Sequence, residues 1–497
     1  MLRSILTICA VLLSGLLVML PAYAQTRPGE YVRETLPGRS VQGVPTAIPV
    51  FIGYTERQPG DTEDDISPKL TRSVDDFEMA YGGAAHSKFE IRKSDSVAGD
   101  PVHFEIGGVS YHVERIGGRR GFYLYNAIRH YFANGGEQAY IVSVGTYADE
   151  AVSKTALADG LHVAGTIDSA SPTLLLMPDA LMLPADEYYD LANAMLSQAD
   201  LLEDRIAIID VFQGDEDAFA VTVSSPDPIT EHRDSLGPDG LRNGVSYYPF
   251  LRTDLVTADE ITRDMIGDEV GAVVLDNIVG PIPSCGTIED TAGFQAIQGA
   301  IARQLNIMPP GPAMAGIYAR IDSDRGVWKA PANVDIARVT GLTADVSDAN
   351  QVGLNVDPLK GKSINLIRSF SDRRAVVWGA RTLDSNTADN RYVSQRRTII
   401  FVEQSIRTFL SGQTSLTNEA ATWLNIERDV EAFMNELWRA GALAGATPKE
   451  AFSVDIGFGV TMTQLDVDEG RMRLRISLAL TRPGEFQTLE IVETVEN

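Results

Sequence analysis

The sequence predicts a mixed α/β fold, and three observations carry that prediction. Residues 172–211 hold a strand–helix–strand unit. Thr173 to Met177 and Arg205 to Val211 are apolar runs of buried-strand type, and Asp186 to Leu202 between them has helical periodicity. That spacing suits a βαβ crossover with parallel strands. Near the C-terminus Val430, Phe433, Met434, Leu437 and Trp438 mark one face of a helix. Arg471 to Ile476 then alternates arginine with apolar residues, and Phe486 to Val495 repeats a β-type pattern. Glu30 to Glu34 is a further short strand candidate, set off by Pro28-Gly29 and Pro37-Gly38. Isolated strands of this kind need a sheet edge, in their own chain or in a neighbour.

The remaining elements follow in order. Residues 25–46 read as an extended arm rich in Pro, Gly and charge. Ala47 to Tyr54 is an apolar strand, and Ser73 to Gly83 a helix capped by serine and ended by glycine. Phe104 to Gly121, with Gly107-Gly108 and Gly117-Gly118, reads as a hairpin. Phe122 to His130 is a helix that leads through Asn134-Gly135-Gly136 into a strand at Ala139 to Val144. A helix followed at once by a strand needs residues that tolerate positive φ. Further β-type stretches are Val245 to Leu251 and Gly271 to Leu275, and helices are expected at Phe294 to Leu305 and Thr398 to Leu410. Thr447-Pro448-Lys449-Glu450 has the look of an N-cap with proline in the first turn. No internal repeat or low-complexity tract is present.

With 497 residues the chain is long enough for two or three domains. Its net charge of −26 argues against general nucleic-acid binding and against docking on anionic lipid. Residues 1–24 form a separate object: Arg3, an apolar run from Ile5 to Met19, and Ala22-Tyr23-Ala24 make a signal-peptide pattern with a mature end at Gln25. Either that leader directs export, to the periplasm or the outside, or translation starts at Met19. No later stretch is apolar enough to span a bilayer, so no membrane insertion is expected once the leader is removed. Beyond Cys9 in the leader only Cys285 remains, which excludes an internal disulfide.

Several motifs together resemble the contractile tail sheath proteins of phage tails and related injection systems. They are Phe132-Ala133-Asn134-Gly135-Gly136, then Ala315 to Arg320, and Asp324-Arg325-Gly326-Val327-Trp328-Lys329-Ala330-Pro331-Ala332-Asn333. Trp378-Gly379-Ala380-Arg381-Thr382-Leu383, Arg391-Tyr392-Val393 with Arg396-Arg397, and Leu437-Trp438 through Gly445 continue the likeness, as does Arg482 to Phe486. It covers most of the chain, apart from the leader, which such proteins normally lack. The resemblance implies an N-terminal sheath domain (47–150), a central domain of subtilisin-like fold (151–384) and a C-terminal domain (385–497). It also implies terminal arms that add strands to neighbouring subunits: Glu30, Tyr31, Val32, Arg33 and Glu34 at one end, Gln487, Leu489, Ile491, Val492 and Val495 at the other. Signature positions with a structural role would be Asn134, Gly135, Gly136, Arg325, Gly326, Trp328, Pro331, Trp378, Gly379, Arg381 and Trp438. The implied partners are further copies of the chain, an inner tube protein, and baseplate and terminator proteins.

Enzyme constellations are not found. There is no G-x-x-x-x-G-K-S/T loop, no H-E-x-x-H and no strand-following G-x-G-x-x-G. His103 and His112 share the hairpin, but no third metal ligand has suitable spacing. Asp179 and Asp210 lie at strand ends, where a subtilisin-type site would want an acid, yet no nucleophile elbow follows and no histidine occurs after His232. Asp322, Asp324 and Arg325 read as a turn held by an arginine–carboxylate pair, and Trp328, Trp378, Trp423 and Trp438 as core or interface packing. The expected protein is therefore a non-enzymatic structural subunit without cofactor or metal. The alternative is an exported α/β ligand-binding protein or hydrolase, for which the leader speaks.

Overall fold

The computed structural model describes residues 40–59, 65–94, 101–117, 121–149, 151–167, 172–220, 226–266, 291–357, 359–413, 416–480, 482 and 485–495. The leader, the strand expected at Glu30 to Glu34, the β-stretch expected at Gly271 to Leu275, and Cys285 lie outside them.

A six-stranded sheet forms the centre. Its strands are β1 (Pro49–Thr55), β2 (Ala139–Thr146), β3 (Leu174–Leu176), β4 (Ile206–Ile208) and β5 (Gly244–Val245), with the short Lys69–Thr71 on the edge. The spatial order is Lys69–Thr71, β2, β1, β3, β4, β5, and every pair is parallel except the antiparallel edge. The βαβ unit read from residues 172–211 is present as β3, α3 (Ala185–Leu202) and β4, paired Leu174↔Ile206.

Both faces of this sheet are covered, which explains why its strands are apolar throughout. On one face Phe51, Ile141, Leu174, Ile206 and Val245 pack against α1 (Leu124–Ala133) and α4 (Gly311–Arg325). On the other, Val50, Ile52, Val142, Leu175 and Ala207 meet α2 (Lys154–Gly165) and α3. Strands from 47–150 and from 151–384 thus share one sheet, so the hydrophobic core does not divide at residue 150.

The signature glycines and asparagine are explained by close packing. Asn134 is fully buried at the end of α1, where its Oδ1 accepts from Ala337 N at 2.8 Å and its Nδ2 donates to His130 O at 3.0 Å. Gly135 has φ of 103°, and a Cβ there would lie 2.7 Å from Arg320 Cβ. Gly379 lies against the Asn365 backbone, and Asn365 Oδ1 accepts from Arg381 N at 2.7 Å. Ser73 caps its helix by accepting from Asp76 N, as the sequence predicts.

Two expectations are corrected here. Val245 to Leu251 is not one strand: it is shared among Gly244–Val245, Tyr247–Tyr248 and Leu251–Thr253, in three different sheets. Its apolar residues are all buried, and a continuous apolar run cannot reveal where a chain changes sheet. Asp322 to Arg325 is the last turn of α4 rather than a loop turn, because Gly326, with φ of 91°, ends the helix only afterwards.

Candidate functional site

The C-terminal region builds a second core. Helix α5 (Val393–Ser411) and helix α6 (Ala420–Arg439) carry an antiparallel sheet of β6 (Phe452–Ile456), β7 (Arg471–Leu478) and β8 (Gln487–Thr494), in the order β6, β7, β8. Of the predicted helix face, Val430, Phe433, Met434 and Leu437 point into the core, joined by Ile426, while Trp438 is half-buried. Trp438 closes the helix end by donating from Nε1 to Gly445 O at 3.0 Å.

The alternation seen in the sequence sets the register. Met472, Leu474, Ile476 and Leu478 face the helices, and Arg471, Arg473 and Arg475 face outward. Asp466, on the helix Gln464–Asp468, holds two of these arginines: its Oδ1 accepts from Arg471 Nε at 3.1 Å and Arg473 Nε at 3.0 Å. Hydrogen bonds from Thr463 and then from Arg473 depress the Asp466 carboxyl pKa below the usual range. Arg473 also donates to Glu490 across to β8 at 3.0 Å.

The C-terminal strand expected to serve neighbours is here the third strand of its own sheet. Leu474 pairs with Ile491 and Ile476 with Leu489, and Ile491 is 0% exposed. Val492 lies on the outer face opposite Arg473, and Val495 N donates to Gly470 O at 2.8 Å. Among the described residues the outer edges of β6 and β8 have no strand beside them. The other arm, Glu30, Tyr31, Val32, Arg33 and Glu34, lies outside the described residues.

Chemistry-bearing groups elsewhere are built into the fold. Asp179 directly follows β3, at the carboxyl ends of the strands where the winding of the sheet reverses beside β1. In open α/β folds this crevice commonly takes ligands. Here it is filled from within: Asp179 accepts from Tyr54 N at 2.8 Å, Tyr123 N at 2.5 Å and Leu124 N at 3.1 Å, so capping α1. Burial raises its pKa to about 6, against the pull of those N–H groups. Asp210, past the end of β4, is pushed up to about 7 by burial and accepts from Gly311 N at 2.8 Å.

The fold does assemble one pair that the sequence does not reveal. His232 Nε2 lies 2.8 Å from Ser246 Oγ, and its Nδ1 lies 3.4 Å from Tyr189 OH. Both His232 and Ser246 are 0% exposed, and burial lowers the His232 pKa to about 3. No substrate carbonyl can reach that serine, and a phenol stands where a triad would place a carboxylate. Fourteen residues separate the two in sequence, and no motif marks either one.

His103 and His112 do meet, stacked at 4.7 Å, but among the described residues no group of three possible ligands could hold a metal. Asp322 is paired with Arg397, while Asp324 and Arg325 are exposed. Trp328, Trp423 and Trp438 pack on the C-terminal core. Trp378 is tilted on Phe370 at 4.9 Å and partly exposed. No helix among the described residues is long and apolar enough to cross a membrane.

No protein-family profile and no curated protein sequence matches the chain. Solved structures do. The sheath complex of an extracellular contractile injection system (PVC), in the contracted state, is 25% identical, with a TM-score of 0.57 over 94% of this chain and 97% of that one. The helical sheath of the anti-feeding prophage, also contracted, is 25% identical, with a TM-score of 0.56 over 94% and 99%. The contracted baseplate structure of the same prophage gives a TM-score of 0.60 at 24% identity.

Proposed function

We propose that the chain is a structural sheath subunit of the contractile tail sheath family, a reading supported by its likeness to the contracted sheaths of two injection systems, and that it assembles as follows. Copies join head to tail in a contact that does not close, which generates a helical tube. The observation that carries the reading is the β6–β7–β8 sheet, whose outer edges have no strand beside them among the described residues and whose last strand is joined to β7 along the chain by a short connection after Leu478.

In the assembled tube, β8 of one copy occupies the place beside β7 of a neighbour. The exchange keeps the same ladder and the same pocket for Ile491, so it costs little beyond the connection's rearrangement. Glu30 to Glu34 adds at an open edge. The signature residues Arg325, Gly326, Trp328, Pro331, Trp378, Gly379, Arg381 and Trp438 hold the bodies that present these strands. The division into 47–150, 151–384 and 385–497 is one of sequence, and its first two parts contribute strands to a single sheet. The parallel sheet is the part that the family likeness describes as subtilisin-like, supported by its parallel strands and two helical layers. Further copies, an inner tube, a baseplate and a terminator are the partners, and the setting is an injection-system or phage-tail particle, reached with or without the leader. Contraction is then a rigid-body change between two packings, linked by the exchanged strands.

Negative-stain electron microscopy of the purified full-length chain tests the proposal. Rods or stacked rings are expected, and only dispersed particles over a range of salt and concentration would overturn it. The strand exchange has its own test, because Arg475 and Glu490 stand directly opposite. An Arg475→Cys/Glu490→Cys variant, oxidised as monomer, is expected to link within one chain, and oxidised as tubes, to link successive chains. Links confined to single chains in both states would reject exchange. Deleting everything after Phe486 is expected to abolish tubes and also to lower the monomer's Tm, because the pocket of Ile491 is emptied. Truncating a buried aliphatic side chain alone costs about 2–5 kcal/mol.

We further propose that the chain is not an enzyme. A fluorophosphonate probe is expected to leave Ser246 unlabelled. Stoichiometric labelling that is lost in a Ser246→Ala variant would show the buried pair to be active.

A further inference from the structure

The loop between β6 and the helix Gln464–Asp468 displays large apolar side chains in a fixed frame. Phe458 is 55% exposed, Val460 59%, and Leu465 just beyond them 59%. The loop is nonetheless well tied. Val460 N, Thr461 N and Met462 N all donate to Gly457 O, Gly459 N donates to Met462 O, and Thr461 Oγ1 donates to Arg473 O at 2.7 Å, fixing the loop to β7. Gly457 and Gly459 take φ of 153° and 75°, which favour glycine and turn the loop outward. The carbonyls of Phe458, Gly459 and Val460 accept no hydrogen bond among the described residues. An exposed apolar cluster held rigid in this way marks a contact site, since little conformational freedom is lost on docking.

The same chain carries a receiving surface of complementary character. A cavity of about 370 Å³ opens between the entry segment 44–48, the end of α4 and helix α5; Val44, Ile48, Trp328 and Phe401 are among its apolar walls, and Glu137 and Asp322 also line it. The indole nitrogen of Trp328 is buried and has no hydrogen-bond partner among the described residues. A buried N–H without an acceptor is costly, and an incoming carbonyl would satisfy it. The loop offers uncharged side chains and unused carbonyls; the cavity offers largely apolar walls, acidic at Glu137 and Asp322, and an unused donor.

Charge decides which occupant fits. Each copy carries a net charge of −26, so copies repel over most of their surface. An uncharged loop running from Gly457 to Thr461 is where one copy can approach another without that cost. We infer that the Phe458–Val460 loop of one copy docks in the Trp328 cavity of a second copy of this chain, as a heterologous contact of the tube. This inference rests on the sheath reading above.

Site-specific photo-crosslinking tests it, with benzoylphenylalanine in place of Phe458 in tubes formed from the full-length chain. The expected product is a dimer of this chain, whose crosslinked peptide, identified by mass spectrometry, falls within 44–48, 137–138 or 313–329. Phe458→Ser is expected to leave the monomer's Tm within about a degree of the wild type and to reduce tube length several-fold. Crosslinking within one chain, to residues 25–39, to an inner tube protein or to another region of the neighbour would overturn the docking while leaving the sheath reading intact. Failure of the wild-type chain to form tubes would remove that reading and the inference with it.

Discussion

Replacing Arg397 with alanine is expected to destabilise the monomer by about 3–5 kcal/mol, the cost of leaving one partner of a buried ion pair alone. Arg397 on α5 and Asp322 on α4 are 4% and 5% exposed at their side chains. The guanidinium meets the carboxylate through two parallel bonds, Nη1 to Oδ1 at 2.9 Å and Nη2 to Oδ2. It also lies 4.7 Å over the ring of Tyr318, whose hydroxyl is 2.7 Å from that of Tyr247. The pair thus joins the C-terminal core to the central sheet at a nearly fully buried point. With Arg397 gone, Asp322 remains buried without a counter-charge, and that stranded charge is the source of the expected loss.

Thermal unfolding of Arg397→Ala, compared with Arg397→Met/Asp322→Leu, separates the two contributions. The double variant removes both charges and fills the space with apolar atoms, which is commonly near neutral. It is expected to recover most of the loss. If it melts as low as the single variant, the geometry of the pair, and not the stranded charge, is what joins the bodies. Arg397→Lys is expected to recover only in part, because an ammonium cannot make the parallel pair or lie flat on Tyr318.

The parts of this fold that are legible in sequence are those in which one period dominates. The run from Thr173 to Val211 is readable because α3 buries a single face against the sheet while β3 and β4 are buried on both. The arginine alternation from Arg471 is readable because one face of β7 is wet. Val245 to Leu251 is not, since burial on every side removes the contrast that would show where the chain passes from one sheet to the next. The C-terminal strand is the instructive case. Its β character is plain in Leu489 and Ile491, but which β7 it pairs with is a question of connectivity, and the side-chain pattern is the same in both arrangements. The buried His232–Ser246 pair, and the closing of the sheet's crevice by Asp179, depend on backbone N–H groups and on a meeting of distant elements. Neither leaves a spacing that sequence reading can detect.

The second large effect concerns pH and Asp210. An aspartate titrates near 3.8 when exposed, and burial raises this one to about 7 in the fold. Between those values the folded chain therefore holds a proton that the unfolded chain has released. Stability falls wherever the folded state binds more protons and pH rises, so the Asp210 contribution declines from about pH 4 to about pH 7 and is level above that. At about 1.4 kcal/mol per unit of pH, the span is on the order of 4 kcal/mol. His130 and His232 act in the opposite sense. Burial lowers them to about 4 and about 3, so their contribution grows as pH rises towards 6.5. The wild-type profile sums these slopes, and a variant is needed to isolate one. Asp210→Asn keeps an oxygen to accept from Gly311 N and carries no charge at any pH. Its stability relative to the wild type, read from denaturant midpoints, is expected to change little between pH 3 and 4. It should then climb steadily to pH 7 and reach a plateau in favour of the variant. A difference that stays flat from pH 4 to pH 8 would mean that Asp210 is ionised throughout, with its second oxygen reaching solvent. A difference that falls with pH would mean that the folded chain prefers the carboxylate, and that the N-terminus of α4 outweighs burial.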